Sequence, residues 1–419
     1  MDFKRVGELI RKVRKERGMT LDDLCDDYIP RTTLSSIERG LTQNETKVHY
    51  ILRKLDIDLS DLWQREKKDE EKRKLDLLLI ENIINSDPKK AFSRLTRLPD
   101  EYNGPFLVFL KARCYFKLKQ YNKATEYFDD ALQELEKRPD LSYTNLKPRC
   151  LNHKSIIEFQ RGNSEKAVRY AEEGLESFDF KGERKHYYIN LLSNKSIYLK
   201  KLGRKEKALE NLEQIKFDSL DINSDAVLGV YVLRTMLKRE IKTYEDAIKC
   251  AKEGIALAIN CYNYERQLAL LIELGEIYKE SGDFDQAEKC LETAIELKSQ
   301  ITRRHWLIVD AYLELGIVHY KKKDFHKAKK ALQKAAEIAK KENTMLKYAQ
   351  AIIVIAETFL FESNFDHAIN YFKEVYELNT GNKEVESRAL LGLARVYHLL
   401  NDDLNCTKYS KLYIESLGT

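Results

Sequence analysis

The sequence is poor in the residues that interrupt helices. It contains 16 glycines and 6 prolines in 419 residues, well below ordinary usage of roughly 7% and 5%. All six prolines lie at or before Pro148, so the 271 residues from Arg149 onward contain none. Because proline breaks helices, this stretch is predicted to be helix joined by short loops.

Motifs of catalysis, metal binding and membrane insertion are also missing. The sequence has no Gly-rich phosphate loop, no G-x-S-x-G, and no metal-ligand spacing among its 8 histidines. Its 7 cysteines include no C-x-x-C and mostly occupy small packing positions such as Cys290 and Cys406, which favours buried reduced thiols over disulfides or zinc. No apolar run approaches the ~18 residues needed to span a bilayer, and the first residues are charged rather than signal-like. We therefore expect a cytosolic protein that is not an enzyme and needs neither cofactor nor metal.

Alanines recur along the chain at near-constant intervals, at Ala91, Ala124, Ala167, Ala208, Ala247, Ala287, Ala328 and Ala368. The intervals are 33, 43, 41, 39, 40, 41 and 40 residues, and Cys406 continues the series 38 residues later. The surrounding residues also repeat, with a small residue, an aromatic, a turn, a second aromatic, the alanine and an apolar residue four later. The clearest copy contains Gly275, Tyr278, Gly282, Phe284, Ala287 and Leu291. One supersecondary unit is being copied.

The order of residues in this unit identifies its type. The spacing alone would also suit HEAT units, but the Gly/Tyr/Ala order is that of tetratricopeptide repeats, in which small residues let two antiparallel helices approach. The units are about two turns longer than the usual 34 residues. We predict an all-α chain in which residues 75–419 form an α-solenoid of about nine helix pairs with a concave inner wall.

The first sixty residues carry no repeat and are predicted to form five short helices. The first ends at Gly18 after apolar residues at helical spacing. Thr20, with Asp23 three residues later, is a variant of the capping box and predicts a second helix there. A third helix over residues 31–40 presents Arg, Thr and Ser on its outer face.

That outer face suits contact with DNA bases, because Arg pairs with guanine and Ser or Thr bonds either base type. Leu-x-x-Leu followed by Thr-Leu-Ser-x-Ile-Glu-x-Gly, with the ending at residues 55–63, resembles the DNA-binding domain of phage-repressor-type (XRE) regulators over residues 3–63. The resemblance implies a helix-turn-helix. Its implied groove-facing residues are Arg31, Thr32, Ser35 and Ser36, and those near phosphates are Thr20, Arg39, Thr42 and Asn44.

The charge of the first sixty residues and the composition of residues 64–74 predict how the chain is assembled and divided into domains. Residues 1–60 hold 12 basic and 11 acidic groups, so one copy would bind DNA weakly, and we expect two copies on half-sites about 34 Å apart. Residues 64–74 are entirely polar and are either a solvated linker or a charged connecting helix. We divide the chain into a DNA-binding domain (1–63), a charged linker (64–74) and a repeat domain (75–419).

Asparagines on the first helices of two repeats are candidate ligand contacts. Asn152 and Asn194 align when the repeats are set in register, and Asn190 lies one turn before Asn194. An amide side chain can bond a peptide backbone in both directions, although mid-helix asparagine can equally bond within the stack or face water. Arg113 or Arg149 could bind a free carboxylate. Further inward-facing candidates are Tyr231, Glu273, Asp310 and Gln350.

Taken together, both domains resemble the peptide-responsive quorum-sensing regulators of Gram-positive bacteria, the RRNPP family of PlcR/NprR type, with the nine repeats most like the NprR branch. The resemblance implies a short signalling peptide in the groove, a homodimer or higher oligomer, and control of a palindromic DNA operator. An alternative is a Rap-like regulator whose repeats capture a response regulator or kinase, with DNA binding secondary. Rap-type proteins carry a three-helix bundle before the repeats, which counts against this as the only activity.

Overall fold

The computed structural model describes residues 3–215 and 224–418, and these residues form helices and no strands. The predicted all-α fold class is therefore confirmed. The predicted domain limits at residues 1 and 419 lie outside the described residues. By its contacts the chain divides into two compact units, residues 1–127 and 128–419.

The first unit begins with three short helices around one apolar core, α1 (Phe3–Glu16), α2 (Arg31–Glu38) and α3 (Glu45–Lys54). The core side chains are Val6, Ile10, Leu24, Ile29, Leu34, Ile37, Val48, Ile51, Leu52 and Leu55. Two glycines let α1 and α2 approach. A Cβ at Gly7 would lie 2.1 Å from the carbonyl oxygen of Ile37, and one at Gly40 would lie 2.3 Å from Cα of Lys4.

The second helix predicted from Thr20 is absent, and this prediction was wrong. The capping box itself forms, since the amide of Thr20 donates to Asp23 Oδ2 at 2.6 Å and the amide of Asp23 donates to Thr20 Oγ1 at 3.3 Å. Asp26 Oδ1 then accepts the amides of Tyr28 and Ile29 at 3.0 and 2.8 Å. These side-chain bonds offer the backbone an alternative to helix, and aspartate is a weak helix former.

The charged stretch 64–74 is helical. It lies inside α4 (Leu59–Ile83), which Asp58 caps by accepting the amide of Ser60 at 2.8 Å. Of the two alternatives, the connecting helix is the one observed, while the division into domains at this stretch stays a prediction. The helices α5 (Pro88–Leu95) and α6 (Pro105–Lys117) follow in the first unit, and α7 (Tyr121–Glu136) begins there and ends in the second.

The second unit is a row of seven helix pairs. They are α8 (Leu146–Gln160) with α9 (Ser164–Glu176), α10 (His186–Lys201) with α11 (Lys205–Glu213), α12 (Ser224–Glu240) with α13 (Tyr244–Asn260), α14 (Tyr264–Ser281) with α15 (Phe284–Glu296), α16 (Trp306–Lys321) with α17 (Phe325–Lys341), α18 (Met345–Phe361) with α19 (Phe365–Glu377), and α20 (Lys383–Leu399) with α21 (Asp403–Gly418). With α4/α5 and α6/α7, the described residues contain nine pairs, as predicted.

The eight recurring alanines lie on the second helices of the first eight pairs and are all 0% exposed. Glycines on first helices serve the same close packing. A Cβ at Gly316 would lie 2.5 Å from Leu332 Cγ, and one at Gly275 would lie 2.8 Å from Leu291 Cγ. The small residues therefore allow each pair to close, which is what the repeat pattern predicts.

The first helices of the pairs line the inner wall of the second unit. Each of α8, α10, α12, α14, α16 and α18 packs on the first helix of the next pair, whereas second helices of successive pairs approach less closely. A solenoid curves toward the side on which its elements are closer. Functional side chains of the groove should therefore project from the first helices.

Candidate ligand groove and candidate DNA-contacting helix

The inner wall contains a cavity of about 480 Å³ between α10, α12 and α14. Its lining residues are His186, Ile189, Asn190, Ser193, Ile197, Asp225, Ala226, Gly229, Val232, Leu233 and Arg266. On α10 these residues recur three or four apart and so form one helix face. Apolar walls with a few amide, hydroxyl and charged groups are typical of ligand sites. We call this space the first cavity.

The three predicted asparagines occupy different places. Asn190 lines the first cavity. Asn194 Nδ2 instead donates to Asn152 Oδ1 at 2.9 Å, which links α10 to α8, and Asn152 is only 4% exposed. In this conformation, Asn152 and Asn194 therefore join neighbouring repeats, and Asn190 faces the first cavity.

An ion pair forms one side of the first cavity. Arg266 donates to both carboxylate oxygens of Asp225, from Nε at 2.8 Å and from Nη2 at 3.2 Å. These hydrogen bonds lower the pKa of Asp225. Gly229 makes room for the guanidinium, because a Cβ there would lie 3.2 Å from Arg266 Nη2. The absence of a side chain at Gly229 thus leaves space for this guanidinium.

A second cavity of about 470 Å³ adjoins the first, since Asp225 lines both. Its other lining residues are Cys261, Tyr262, Asn263, Tyr264, Glu265, Gln300, Thr302, Arg303 and Arg304. Glu265 Oε1 accepts the backbone amides of Arg303 and Arg304 at 2.9 and 3.3 Å, which holds the loop before α16 against the start of α14. This second cavity is mainly polar, and none of its arginines was predicted from the sequence.

Carboxylates crowd the inner wall further along α14. Arg239 contacts Glu273, Glu276 and Glu280 at 3.2, 2.9 and 2.6 Å. Burial, with the nearby negative charges of Glu314 and Glu273, raises the pKa of Glu276 to about 8. Burial also raises the pKa of Glu273. Sequence reasoning identified Glu273 but missed its partners, which lie on α12 and one or two turns later on α14.

The remaining inward-facing candidates are spread out. Asp310 on α16 pairs with Lys347 on α18, and burial raises the pKa of Asp310. Gln350 is half-buried on α18. Tyr231 packs against α13, since a Cβ at Gly254 would lie 2.9 Å from Tyr231 Cβ. The structure therefore does not bring these three residues into the first cavity.

Both arginines proposed to bind a carboxylate are occupied. In the first unit, Arg113 is 8% exposed and contacts Glu81 at 2.5 Å. In the second unit, Arg149 is 3% exposed, with its guanidinium 5.3 Å from the ring centroid of Tyr187. Neither lines the first or the second cavity.

Helix α2 carries the four predicted groove-facing residues. Arg31 and Thr32 are exposed, and Ser35 and Ser36 are half-buried. Arg31 Nη1 lies 3.0 Å from Asp22 Oδ2, with both side chains largely in solvent. Such an exposed ion pair stabilises the protein little, so Arg31 can leave Asp22 and bind another anionic group.

The four predicted phosphate contacts lie mainly in turns and caps. Thr20 bonds Asp23, and Asn44 caps α3 by accepting the amide of Lys47 at 3.1 Å. Thr42 Oγ1 accepts the amide of Asn44 at 3.4 Å. Arg39 is exposed just after α2.

A buried ion pair in the first unit escaped sequence reasoning. Arg14 on α1 donates from Nε to Glu38 Oε1 at 2.6 Å and from Nη2 to Glu38 Oε2 at 3.0 Å, and its Nη1 bonds the carbonyl of Met19. The pair joins α1 to α2 and thereby fixes the orientation of the exposed face of α2. Its signal in the sequence was slight, because both residues occur among other charged residues.

Family models recognise the repeats. Residues 307–380 match a model described as tetratricopeptide repeat, and residues 107–134 and 268–301 match a second model of the same description. The chain carries tetratricopeptide repeats. The repeat type inferred from the Gly/Tyr/Ala order is therefore confirmed over HEAT units.

Solved structures share this fold at low identity. A STAND signal-transduction ATPase with a tetratricopeptide repeat sensor, from Pyrococcus horikoshii, has a TM-score of 0.54 at 16% identity, covering 99% of this chain and 63% of that one. Apo RapI has a TM-score of 0.57 at 15% identity, covering 82% of this chain and 97% of that one. The apo quorum sensor NprR from B. thuringiensis has a TM-score of 0.52 at 16% identity, covering 83% and 99%. The chain thus spans less than two thirds of the Pyrococcus protein.

No curated protein matches the sequence. Within residues 3–215 and 224–418, no helix combines the length and the apolar character needed to cross a bilayer.

Proposed function

We propose that this chain is a peptide-responsive transcription regulator, in which the first cavity binds a short peptide and α2 reads DNA in a paired assembly of two copies. The observation that carries the proposal is the first cavity itself. It places the amide of Asn190 and the hydroxyl of Ser193 beside apolar residues on the inner wall of a tetratricopeptide solenoid. Such a lining suits a peptide, which offers backbone amides and apolar side chains together.

Two further observations support it. NprR, which shares the fold, is a quorum sensor. In the first unit, the exposed Arg31 and Thr32 project from a helix that the buried Arg14–Glu38 pair holds in place. An Arg/Thr/Ser helix face is chemically suited to base edges in the major groove.

The peptide part is tested with a synthetic library of random hexapeptides and the full chain. Peptides that co-elute with the protein are identified by mass spectrometry. Leu233→Trp fills the first cavity and should abolish their retention, whereas Ile259→Trp, on the exposed face of α13, should leave it intact. Equal retention by both variants would place the binding elsewhere.

The DNA part is tested by selecting duplexes from a random pool. We expect palindromic sites whose enrichment falls in Arg31→Ala, with a loss of roughly 1–3 kcal/mol and relaxed sequence preference at one position. Lys89→Ala, an exposed cation on α5, is the matched control. If Arg31→Ala selects the same sequences with the same affinity, the assignment of α2 is wrong.

A Rap-like regulator that captures a response regulator or kinase is the second candidate. One observation favours it: residues 20–30 form turns, so α2 lacks the preceding helix that crosses the DNA backbone in helix-turn-helix proteins. A random pool that yields no enriched sequence, combined with a stoichiometric protein partner, would support this candidate.

A further inference from the structure

The two adjoining cavities, taken together, are lined by more arginines than acids. Three guanidinium groups, of Arg266, Arg303 and Arg304, lie around the two cavities, against the two carboxylates of Asp225 and Glu265. Arg304 lies 3.5 Å from Glu265 and 4.0 Å from Asp225. The local balance is therefore one positive charge in excess.

Both carboxylates are already engaged. Asp225 is held by the two hydrogen bonds from Arg266, and Glu265 Oε1 accepts two backbone amides. Arg303 is exposed, and within the described part of the chain its guanidinium makes no hydrogen bond or ion pair. A guanidinium beside a polar cavity, with no protein partner, is available to an anionic ligand.

We propose that the second cavity is a carboxylate subsite, in which Arg303 and Arg304 bind a carboxylate of the peptide while a neighbouring apolar side chain enters the first cavity. This proposal rests on the proposed peptide binding and specifies the chemistry of the ligand. The planar guanidinium fits carboxylate geometry better than a lysine ammonium does. The shared wall at Asp225 brings the two subsites within reach of adjacent residues of one peptide. The carboxylate comes either from the peptide's C-terminus or from an Asp or Glu side chain.

Three hexapeptide libraries distinguish these sources. The first lacks Asp and Glu and has free C-terminal carboxylates, the second has the same sequences amidated, and the third is amidated but contains Asp and Glu. Each is incubated with the full chain, with the double variant Arg303→Gln/Arg304→Gln, and with Lys298→Gln. Lys298 is a nearby exposed cation that lines neither cavity. Retained peptides are quantified by mass spectrometry.

We expect the wild type to retain the first library roughly tenfold more than the second, because hydrogen bonds to charged groups are among the strongest in binding sites. The double variant should lose this preference and Lys298→Gln should keep it. If instead the third library is retained more than the second while the first is not, the source is a side-chain carboxylate. Equal retention of all three libraries, unchanged in the double variant but abolished by Leu233→Trp, would overturn the subsite and leave peptide binding intact. If the wild type retains none of the libraries, the proposed peptide binding fails, and this subsite fails with it.

Discussion

Carboxylates in the loop of the first unit and on the inner wall of the second unit meet opposite environments. In the first unit, Asp26 accepts from Lys54, from the amide of Ile29 and from Tyr50, and these donors lower its pKa. On the inner wall, burial raises the pKa of Glu273, Glu276 and Asp310. Donors stabilise the ionised form, whereas desolvation destabilises it.

This difference in pKa shows that carboxylates have different structural roles in the two units. Asp26 is bound by a loop, a tyrosine and a lysine, so its charge holds local structure together. Around Arg239, three carboxylates face one guanidinium, and burial disfavours the ionised form of two of them, Glu273 and Glu276. Protonation of Asp26 should therefore destabilise the first unit. Protonation of Glu273 and Glu276 should instead stabilise the second unit.

The largest effect should come from breaking the buried pair of the first unit. Glu38→Ala leaves Arg14 buried without its bidentate partner, which costs roughly 3 to 5 kcal/mol of unfolding free energy. Hydrogen exchange of residues 3–58 in the full chain measures it. Glu16→Ala, which breaks an exposed i,i+4 pair of α1 with Lys12, should cost less than about 0.5 kcal/mol. Similar losses in both variants would mean that burial adds nothing to the pair.

The next effect concerns pH. Because the pKa of Glu276 is raised in the fold to about 8, from 4.5, its protonated form stabilises the second unit below about pH 4.5. That stability is lost as pH rises through about 8. Calorimetry should show that Glu276→Gln gains thermal stability over the wild type at pH 8.5 and not at pH 5. The exposed Glu206→Gln on α11 is the control, and a difference independent of pH would refute the raised pKa.

A smaller effect is expected at the loop of the first unit. Asp26→Ala removes the acceptor for two backbone amides and for Tyr50 and Lys54, so exchange of the amides of α2 and α3 should accelerate. The wild type should also lose this protection on acidification, since the pKa of Asp26 is lowered and its ionised form is the stabilising one. Asp27→Ala, at an exposed neighbour, should exchange like the wild type. Equal acceleration in both would show that the loop does not depend on these bonds.

The smallest effect should be the coupling between two asparagines. A double-mutant cycle with Asn152→Ala and Asn194→Ala should give roughly 1 kcal/mol of interaction free energy in urea unfolding, as for an ordinary hydrogen bond. A coupling near zero would indicate that the two amides do not stabilise the contact of α8 with α10.

The repeat architecture was predictable because it depends on small residues at fixed spacing. Ala287 and Gly275 must be small wherever two helices approach, so their pattern is visible in one sequence. The prediction of a second helix at Thr20 was wrong although the capping box of Thr20 and Asp23 forms. A capping box favours only the first helical turn, and the hydrogen bonds of Asp26 to later amides prevent the helix from continuing.

The candidate site was less predictable. The first cavity draws on α10, α12 and α14, whose lining residues Asn190, Gly229 and Arg266 lie about forty residues apart and follow no common motif. The role of Gly229 depends on where Arg266 lies, which only the packing of two helices decides. Arg303 belongs to a loop that is held by the hydrogen bond its backbone amide donates to Glu265 Oε1. Asn190 was predicted because asparagine is uncommon in the middle of a helix. Arg303 was not predicted, because arginine is common in loops.

The unbroken α4 has a mechanical meaning. A helix of 25 residues is roughly 37 Å long and keeps a fixed twist between its ends, unlike a coil of the same composition. A rotation of α4 at its contact with α5 would therefore also rotate the residues at the N-terminal end of α4. The helix therefore couples the rotation of its two ends. Inserting one residue within 64–74 would rotate one end relative to the other by about 100°.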